Sequence, residues 1–193
     1  MTTRVLWLYG ADAVGKSAVG WEVYTLLAQA AEDGGPGEPV AYLDTDYLGF
    51  CSPAPADHAT LVAANLAAVW PGFAAVGARR LVVSGILVTA ADRDRFEQAI
   101  REAEFTFCRL TARPDTVRDR IVLRREVEEA TRRSELSAEV RTELEAYGER
   151  SVGFAELLER LALEDFAVGT DDGTPAEIAR TVIARWRDLS SRW

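Results

Sequence analysis

The sequence predicts an α/β fold in three layers, with a five-stranded parallel sheet between two layers of helices. Three observations carry that prediction. Five short apolar runs alternate with longer helix-forming stretches. The first run feeds a glycine-bounded loop that opens directly into a helix. The composition, 48% hydrophobic and 27% charged, is that of a globular chain. At 193 residues, one domain spanning 1–193 is expected.

The strand runs are Arg4–Tyr9, Val40–Leu43, Leu81–Leu87, Phe105–Leu110 and Asp165–Val168. Apolar runs of this length, separated by helical stretches, give βαβ units and parallel pairing. Ser17 to Glu32 has no proline and many good helix formers, so it reads as the first helix. Gly34-Gly35-Pro36-Gly37 separates that helix from the second strand. An arginine-rich helical region follows the fourth strand. The last helix has a capping box, with Thr174 as N-cap, Pro175 at its first position and Glu177 closing it. Ile178, Val182 and Trp186 then repeat along one face.

Several function classes are excluded or disfavoured. There are 22 basic and 31 acidic residues, a net charge of −9, which argues against nucleic-acid binding. No run of eighteen apolar residues suggests a membrane span. The opening run is followed by Asp12 and Lys16 where a signal peptide needs a small-residue cleavage site, so a cytoplasmic protein is expected. Cys51 and Cys108 are too far apart in sequence for a zinc knuckle. With His58 as the single histidine, Ser-His-Asp and multi-histidine metal chemistry have no basis.

Of the 22 basic residues only Lys16 is a lysine, and arginine supplies the rest. A GC-rich genome accounts for such a bias, yet it makes the one retained lysine informative. A compact ammonium in a tight loop is not replaceable by a planar guanidinium. Lys16 lies in Gly10-Ala11-Asp12-Ala13-Val14-Gly15-Lys16-Ser17, which fits the phosphate-loop (Walker A) pattern G-x-x-x-x-G-K-[ST] in full. Gly10 and Gly15 allow the tight turn, and the amides of Ala13, Val14, Gly15 and Lys16 would face a polyphosphate at the positive end of a helix. Lys16 would pair with the β- and γ-phosphates, and the Ser17 hydroxyl would ligate Mg²⁺. Asp12, a negative charge in an anion-binding loop, is expected to point to solvent.

In open parallel sheets, ligands bind beyond the carboxyl ends of the strands. The second strand ends in Asp44-Thr45-Asp46 and the third in Ser84-Gly85. At i and i+2 of a strand end, Asp44 and Asp46 would point to the same side, one toward Mg²⁺ and the other toward a substrate hydroxyl whose proton it accepts. A turn capping the next helix is the competing use of the same residues.

The Lys16 loop, Leu43-Asp44-Thr45-Asp46, Val82-Val83-Ser84-Gly85 and the stretch Cys108–Asp115 leading to Arg120 and Arg124 resemble the P-loop small-molecule kinases. The nearest types are the shikimate, gluconate and adenylylsulfate kinases and the chloramphenicol phosphotransferases, and the resemblance covers nearly the whole chain. Leu43–Pro55 is also similar to uncharacterised bacterial ATP-binding proteins. The resemblance implies a nucleoside/shikimate kinase-like P-loop NTPase fold, with ATP and Mg²⁺ as cofactors. It makes the helical region at about 115–150 a lid and places Arg120, Arg124 and Arg125 at its base, over adenine and phosphates, with Arg120 among the catalytic groups beside Lys16 and Asp46. Arg132 and Arg133 join the lid on the same reading. Gly169 and Thr170, opening the loop that runs to Gly173, would border the adenine. Solvated i, i+4 pairs of Arg124 with Glu128 and Arg125 with Glu129 are the competing reading of the arginines.

Between the second and third strands, Tyr47 to Ala78 contains no arginine or lysine, and Asp57 is its one formally charged residue. That departs from the shikimate and nucleoside monophosphate kinases, which the family places with arginine here. Tyr47, Phe50, Trp70 and Phe73 offer aromatic surface instead, with Gly85 at the neighbouring strand end. Tyr47, Phe50 and Gly85 are therefore candidate contacts, with Asp46, for a small neutral acceptor. Part of this segment must also build a helix that packs on the core. Arg79, Arg80, Arg93 and Arg95 flank the third strand and could still supply a cation. Phosphoryl transfer to a hydroxyl of a small metabolite or antibiotic-like molecule is the leading expectation, in a monomer or homodimer. A nucleotide-binding regulatory or accessory protein with little phosphotransfer is the alternative.

Overall fold

The computed structural model describes residues 2–32, 38–131 and 135–190. The expected Gly34–Gly37 break and the lid arginines Arg132 and Arg133 lie outside the described residues. In chain order the elements are β1 (Thr3–Tyr9), α1 (Lys16–Glu32), β2 (Val40–Asp44), α2 (Asp46–Gly49), α3 (His58–Ala75), β3 (Arg80–Ser84), α4 (Ala90–Ala99), β4 (Ala103–Thr111), α5 (Pro114–Thr131), α6 (Ala138–Leu161), β5 (Phe166–Gly169) and α7 (Pro175–Leu189). The sheet order is β2-β3-β1-β4-β5, and every pairing is parallel.

Strand periodicity divides the core between the two faces of the sheet. Leu6, Leu8, Val82, Cys108 and Leu110 face α1 and α7, where Val23, Leu27, Val182 and Trp186 pack against them. Val5, Trp7, Tyr9, Leu81, Val83 and Phe107 face α3, α4 and α6, meeting Leu66, Trp70, Phe96 and Leu158. Trp7 stacks on Phe96 with ring centroids 4.2 Å apart. The predicted capping box of α7 is present, with Thr174 and Glu177 each bonding the other's backbone N–H.

β3 is shorter than the apolar run Leu81–Leu87 suggests. It stops at Ser84 because both neighbours stop there: β1 turns into the loop after Tyr9, and β2 gives way to α2 after Asp44. The alternation that was expected to carry Asp44 and Asp46 to one side also ends at Asp44. Thr45 is already helical, with φ −70° and ψ −16°, so Asp46 opens α2 rather than prolonging the strand.

A partly buried polar network ties the strand ends together. The Tyr9 hydroxyl donates to Glu164 Oε2 at 2.8 Å, and Arg109 Nη2 donates to Glu164 Oε1 at 2.9 Å. Burial, the bond to Glu164 and its charge all push the Tyr9 phenol well above its ordinary value. Asp165 continues the network, accepting from Phe107 N at 2.7 Å and pairing with Arg93 at 2.9 Å. Removing one partner of a buried pair leaves the other charge uncompensated, which costs more than the pair itself contributes. Glu164→Ala is expected to lower unfolding stability by about 3 kcal/mol, measured by urea titration, and Glu164→Gln to recover part of that loss.

Candidate active site

The turn from β1 into α1 needs a glycine at its start. A Cβ on Gly10 would stand 2.5 Å from Leu110 O, inside β4, so only glycine lets the loop leave the sheet there. Gly15 at φ +95° and Ala13 at φ +62° then bend the chain back over the helix start. Ala13 is a non-glycine residue in the left-handed region, where its Cβ crowds the backbone.

Each carbonyl of the loop has a hydrogen-bond donor. Lys16 Nζ donates to Gly10 O at 3.1 Å and Ala11 O at 2.9 Å. Ser151 of α6 donates to Asp12 O at 3.2 Å, and Arg120 of α5 donates to Ala13 O at 3.3 Å. Thr170 Oγ1, after β5, lies 2.9 Å from Val14 O and 3.1 Å from Thr111 O, and it accepts from Arg120 Nη1 at 3.0 Å. Val19 N bonds Gly15 O at 2.9 Å, and Ser84 Oγ of β3 bonds Lys16 O at 3.1 Å. A peptide unit is planar and trans, so fixing a carbonyl fixes the next N–H in the opposite direction. With carbonyls held outward, the loop amides converge at the positive end of α1, an arrangement suited to a polyphosphate.

The Ser17 hydroxyl donates to Asp44 Oδ2 at 2.6 Å, and Tyr42 OH lies 3.4 Å from the same oxygen. Asp46 N donates to Asp44 Oδ1 at 3.0 Å. One hydroxyl and one carboxylate are the hard oxygen donors Mg²⁺ takes when phosphates supply the rest of its shell. Among the described residues, no group of three or more His, Cys, Asp or Glu could hold a metal by itself. The donor set therefore fits a metal that arrives with a phosphate ligand.

Burial holds the Lys16 ammonium below the ordinary lysine value, against the pull of Asp12, Asp46 and Asp44, while Arg124 reinforces the burial effect. Asp44 and Asp46 thus both act on the Lys16 charge although they belong to different elements. Asp12 does not simply point to solvent. Its side chain is 48% exposed, but Oδ2 accepts from Tyr147 OH at 2.8 Å and Oδ1 lies 4.0 Å from Lys16 Nζ.

A cavity of about 510 Å³ opens beside the loop. The loop and α1 line it with Ala13, Val14, Gly15, Ala18 and Val19; α5 contributes Arg120, Leu123, Arg124 and Val127; Thr170, Gly173, Pro175 and Ile178 close the far side. Its volume is within the range of small-molecule sites. A second cavity of about 310 Å³, among β4, α5 and α6, touches the phosphate loop at Ala11 alone.

The structure brings Gly10, Ala13, Val14, Gly15, Lys16, Ser17, Asp44, Asp46, Arg120, Arg124 and Thr170 to one end of the sheet. Arg120 is engaged there by Ala13 O and by both oxygens of Thr170, so it braces the loop instead of extending over it. Arg124 lines the cavity and makes no ion pair within 4.0 Å among the described residues, whereas Arg125 is paired with Glu128 and Glu129. Gly169 ends β5, exposed on the side away from that cavity.

The acceptor candidates separate. Tyr47 and Phe50 are 81% and 82% exposed on the α2 turn, their rings edge-on at 6.3 Å. Trp70 and Phe73 pack into the core instead. Gly85 is buried, and a Cβ there would stand 2.6 Å from Thr45 Oγ1, so it allows α2 to approach β3 rather than offering a contact. Asp57 caps α3 through Thr60, and all four arginines flanking β3 are engaged: Arg79 by Ala78 O, Arg80 by Glu38, Arg93 by Asp165 and Arg95 by Asp57 and Asp92. Sequence reasoning missed Tyr147, Ser151 and Tyr42, and it named Ser84 at its strand end without giving it a role. Tyr42 could have been found from its place two residues before Asp44 on the same strand, but α6 carries no local sign that it meets the loop.

Two substitutions test the bracing. Ala13→Gly is expected to raise stability by about 1 kcal/mol by relieving the left-handed residue, read as a higher denaturation midpoint. Thr170→Val, which removes a buried donor from the Val14 and Thr111 carbonyls, is expected to cost roughly 1–3 kcal/mol in the same measurement.

No protein-family model and no curated protein matches the chain. Solved structures do. A gluconokinase from Sinorhizobium meliloti is 18% identical with a TM-score of 0.59, over 97% of this chain and 94% of that one. A tunicamycin resistance protein from Deinococcus radiodurans is 14% identical with a TM-score of 0.59, over 95% of each chain. The APS kinase of Mycobacterium tuberculosis, solved with AMPPNP and APS, is 19% identical with a TM-score of 0.55, over 95% and 96%. Loop, sheet order and neighbours agree: the chain has the fold of the P-loop small-molecule kinases.

Proposed function

We propose that this protein is an ATP- and Mg²⁺-dependent phosphotransferase that moves a γ-phosphoryl group to a hydroxyl of a small, neutral acceptor. The observation that carries the reading is the outward-braced loop, with the Ser17–Asp44 oxygen pair at 2.6 Å on one side and the 510 Å³ cavity on the other. The nucleotide-bound APS kinase among the structural neighbours supports it.

In this reading the loop amides and Lys16 bind the β- and γ-phosphates, and the cavity lined by Leu123, Val127 and Pro175 takes the base. Ser17 and Asp44 hold Mg²⁺, which when bound neutralises charge on the phosphate oxygens. Asp46 accepts the proton of the acceptor hydroxyl as its oxygen bonds to the γ-phosphorus and ADP leaves. Arg124, lining the cavity without an ion pair, neutralises charge on the transferred group, while Arg120 keeps the loop in shape.

The acceptor side favours a neutral molecule. Asp57 and the arginines flanking β3 are committed to a cap, backbone carbonyls and ion pairs, so among the described residues those four arginines do not stand free for a carboxylate or phosphate. Exposed Tyr47 and Phe50 suit a partly apolar ring bearing a hydroxyl.

The test is ADP release from Mg·ATP across polyols and sugars, shikimate, nucleoside monophosphates and hydroxylated antibiotics, with Lys16→Ala as the blank. Turnover with a neutral acceptor that vanishes in the blank is expected. ATP binding with no turnover on any acceptor would favour the regulatory alternative instead. Asp46→Asn is expected to lower kcat by at least ~100-fold while the nucleotide Kd stays near that of the parent protein. Undiminished turnover would remove Asp46 from the base role.

A further inference from the structure

Asp12 presents a problem that the reaction alone does not solve. A carboxylate in the third position of a loop built to attract anions stands beside the one ammonium that must serve the phosphates. Its Oδ1 is 4.0 Å from Lys16 Nζ, close enough for a modest rotation to complete a direct ion pair. Such a pair would draw Lys16 away from a nucleotide and add negative charge where phosphate oxygens must sit.

Two residues of α6, one helical turn apart, act on Asp12. Tyr147 OH donates to Oδ2 at 2.8 Å, and Ser151 Oγ donates to the Asp12 carbonyl at 3.2 Å. Ser151 is buried and fixes the peptide; the phenol engages the carboxylate oxygen farther from Lys16. The Arg150 guanidinium lies over the Tyr147 ring, 5.6 Å from its centroid. The hydroxyl and the ammonium thus act on opposite oxygens of one carboxylate, and the hydroxyl, with the shorter contact, sets the carboxylate's orientation.

We propose that Tyr147 is a positioning residue for the phosphate loop: by holding the Asp12 carboxylate it keeps Lys16 available to the phosphates of the nucleotide. The inference rests on the nucleotide-binding reading of the loop and adds to it a residue from the far end of the lid region. It couples α6 to nucleotide affinity through the loop. Removing the hydroxyl lets Asp12 close on Lys16; removing the carboxylate charge makes the hydroxyl dispensable.

That reciprocity gives the experiment, a calorimetric titration of the full chain with Mg·ATP. Tyr147→Phe is expected to raise Kd roughly ten-fold, the scale of a hydrogen bond to a charged group. Asp12→Asn alone is expected to bind at least as tightly as the parent protein. The double variant is expected to bind like Asp12→Asn, because nothing is left for Tyr147 to restrain. Loss of α6 packing alone would weaken the double variant as much as Tyr147→Phe, and that outcome overturns the proposal. So does an unchanged Kd in Tyr147→Phe, or a weaker one in Asp12→Asn, either of which leaves the nucleotide reading standing. A parent protein that binds no nucleotide overturns both readings together.

Discussion

The orientation of seven consecutive carbonyl groups, Gly10 to Lys16, is the constraint on which the rest of this site depends. A loop whose amides converge on one point must send its carbonyls outward, where each needs a donor or remains unsatisfied. In this chain four of the donors come from distant elements: Ser84 from β3, Arg120 from α5, Ser151 from α6 and Thr170 from the loop after β5. Only Lys16 and the first turn of α1 satisfy carbonyls locally. The fold is thus a device for delivering hydrogen-bond donors to one turn. The Tyr9–Glu164–Arg109 network fixes the strand end from which that turn departs.

Charge at the site follows from the same geometry. Three carboxylates, Asp12, Asp46 and Asp44, act on Lys16, and burial acts against its charge. Each carboxylate is differentiated by a separate partner. Asp44 accepts from Ser17, Asp12 accepts from Tyr147, and Asp46 stands exposed at the start of α2. Acidic groups of one type thereby acquire three environments, and one fold can assign them to metal, loop and acceptor.

Much of this was legible in the sequence. The parallel strands read as apolar runs because both faces of the sheet are covered, and the α7 cap read correctly because its chemistry is local. The end of β3 did not, since Ile86 and Leu87 continue the apolar character beyond the point where neighbouring strands stop. Strand alternation stops one residue short of its expected course, at Thr45, yet the Asp46 charge still acts on Lys16 from the start of α2. The partners of the loop were the least legible. Arg120 could be seen as a lid arginine but not as a brace, and Tyr147 lies 135 residues from Asp12 on a helix whose pattern is that of a charged surface. Contacts of that sequence separation leave no local trace.

The central claim is that the braced loop is a receptor for the β-phosphate of a nucleotide. The most direct measurement compares the Kd of ADP with that of AMP, each with Mg²⁺, on the same protein. If the loop amides and Lys16 supply the affinity, ADP binds at least ~100-fold more tightly than AMP, since charge-assisted hydrogen bonds to the second phosphate are lost in the monophosphate. Equal affinities would mean that the base cavity, and not the loop, carries binding, and would contradict the account.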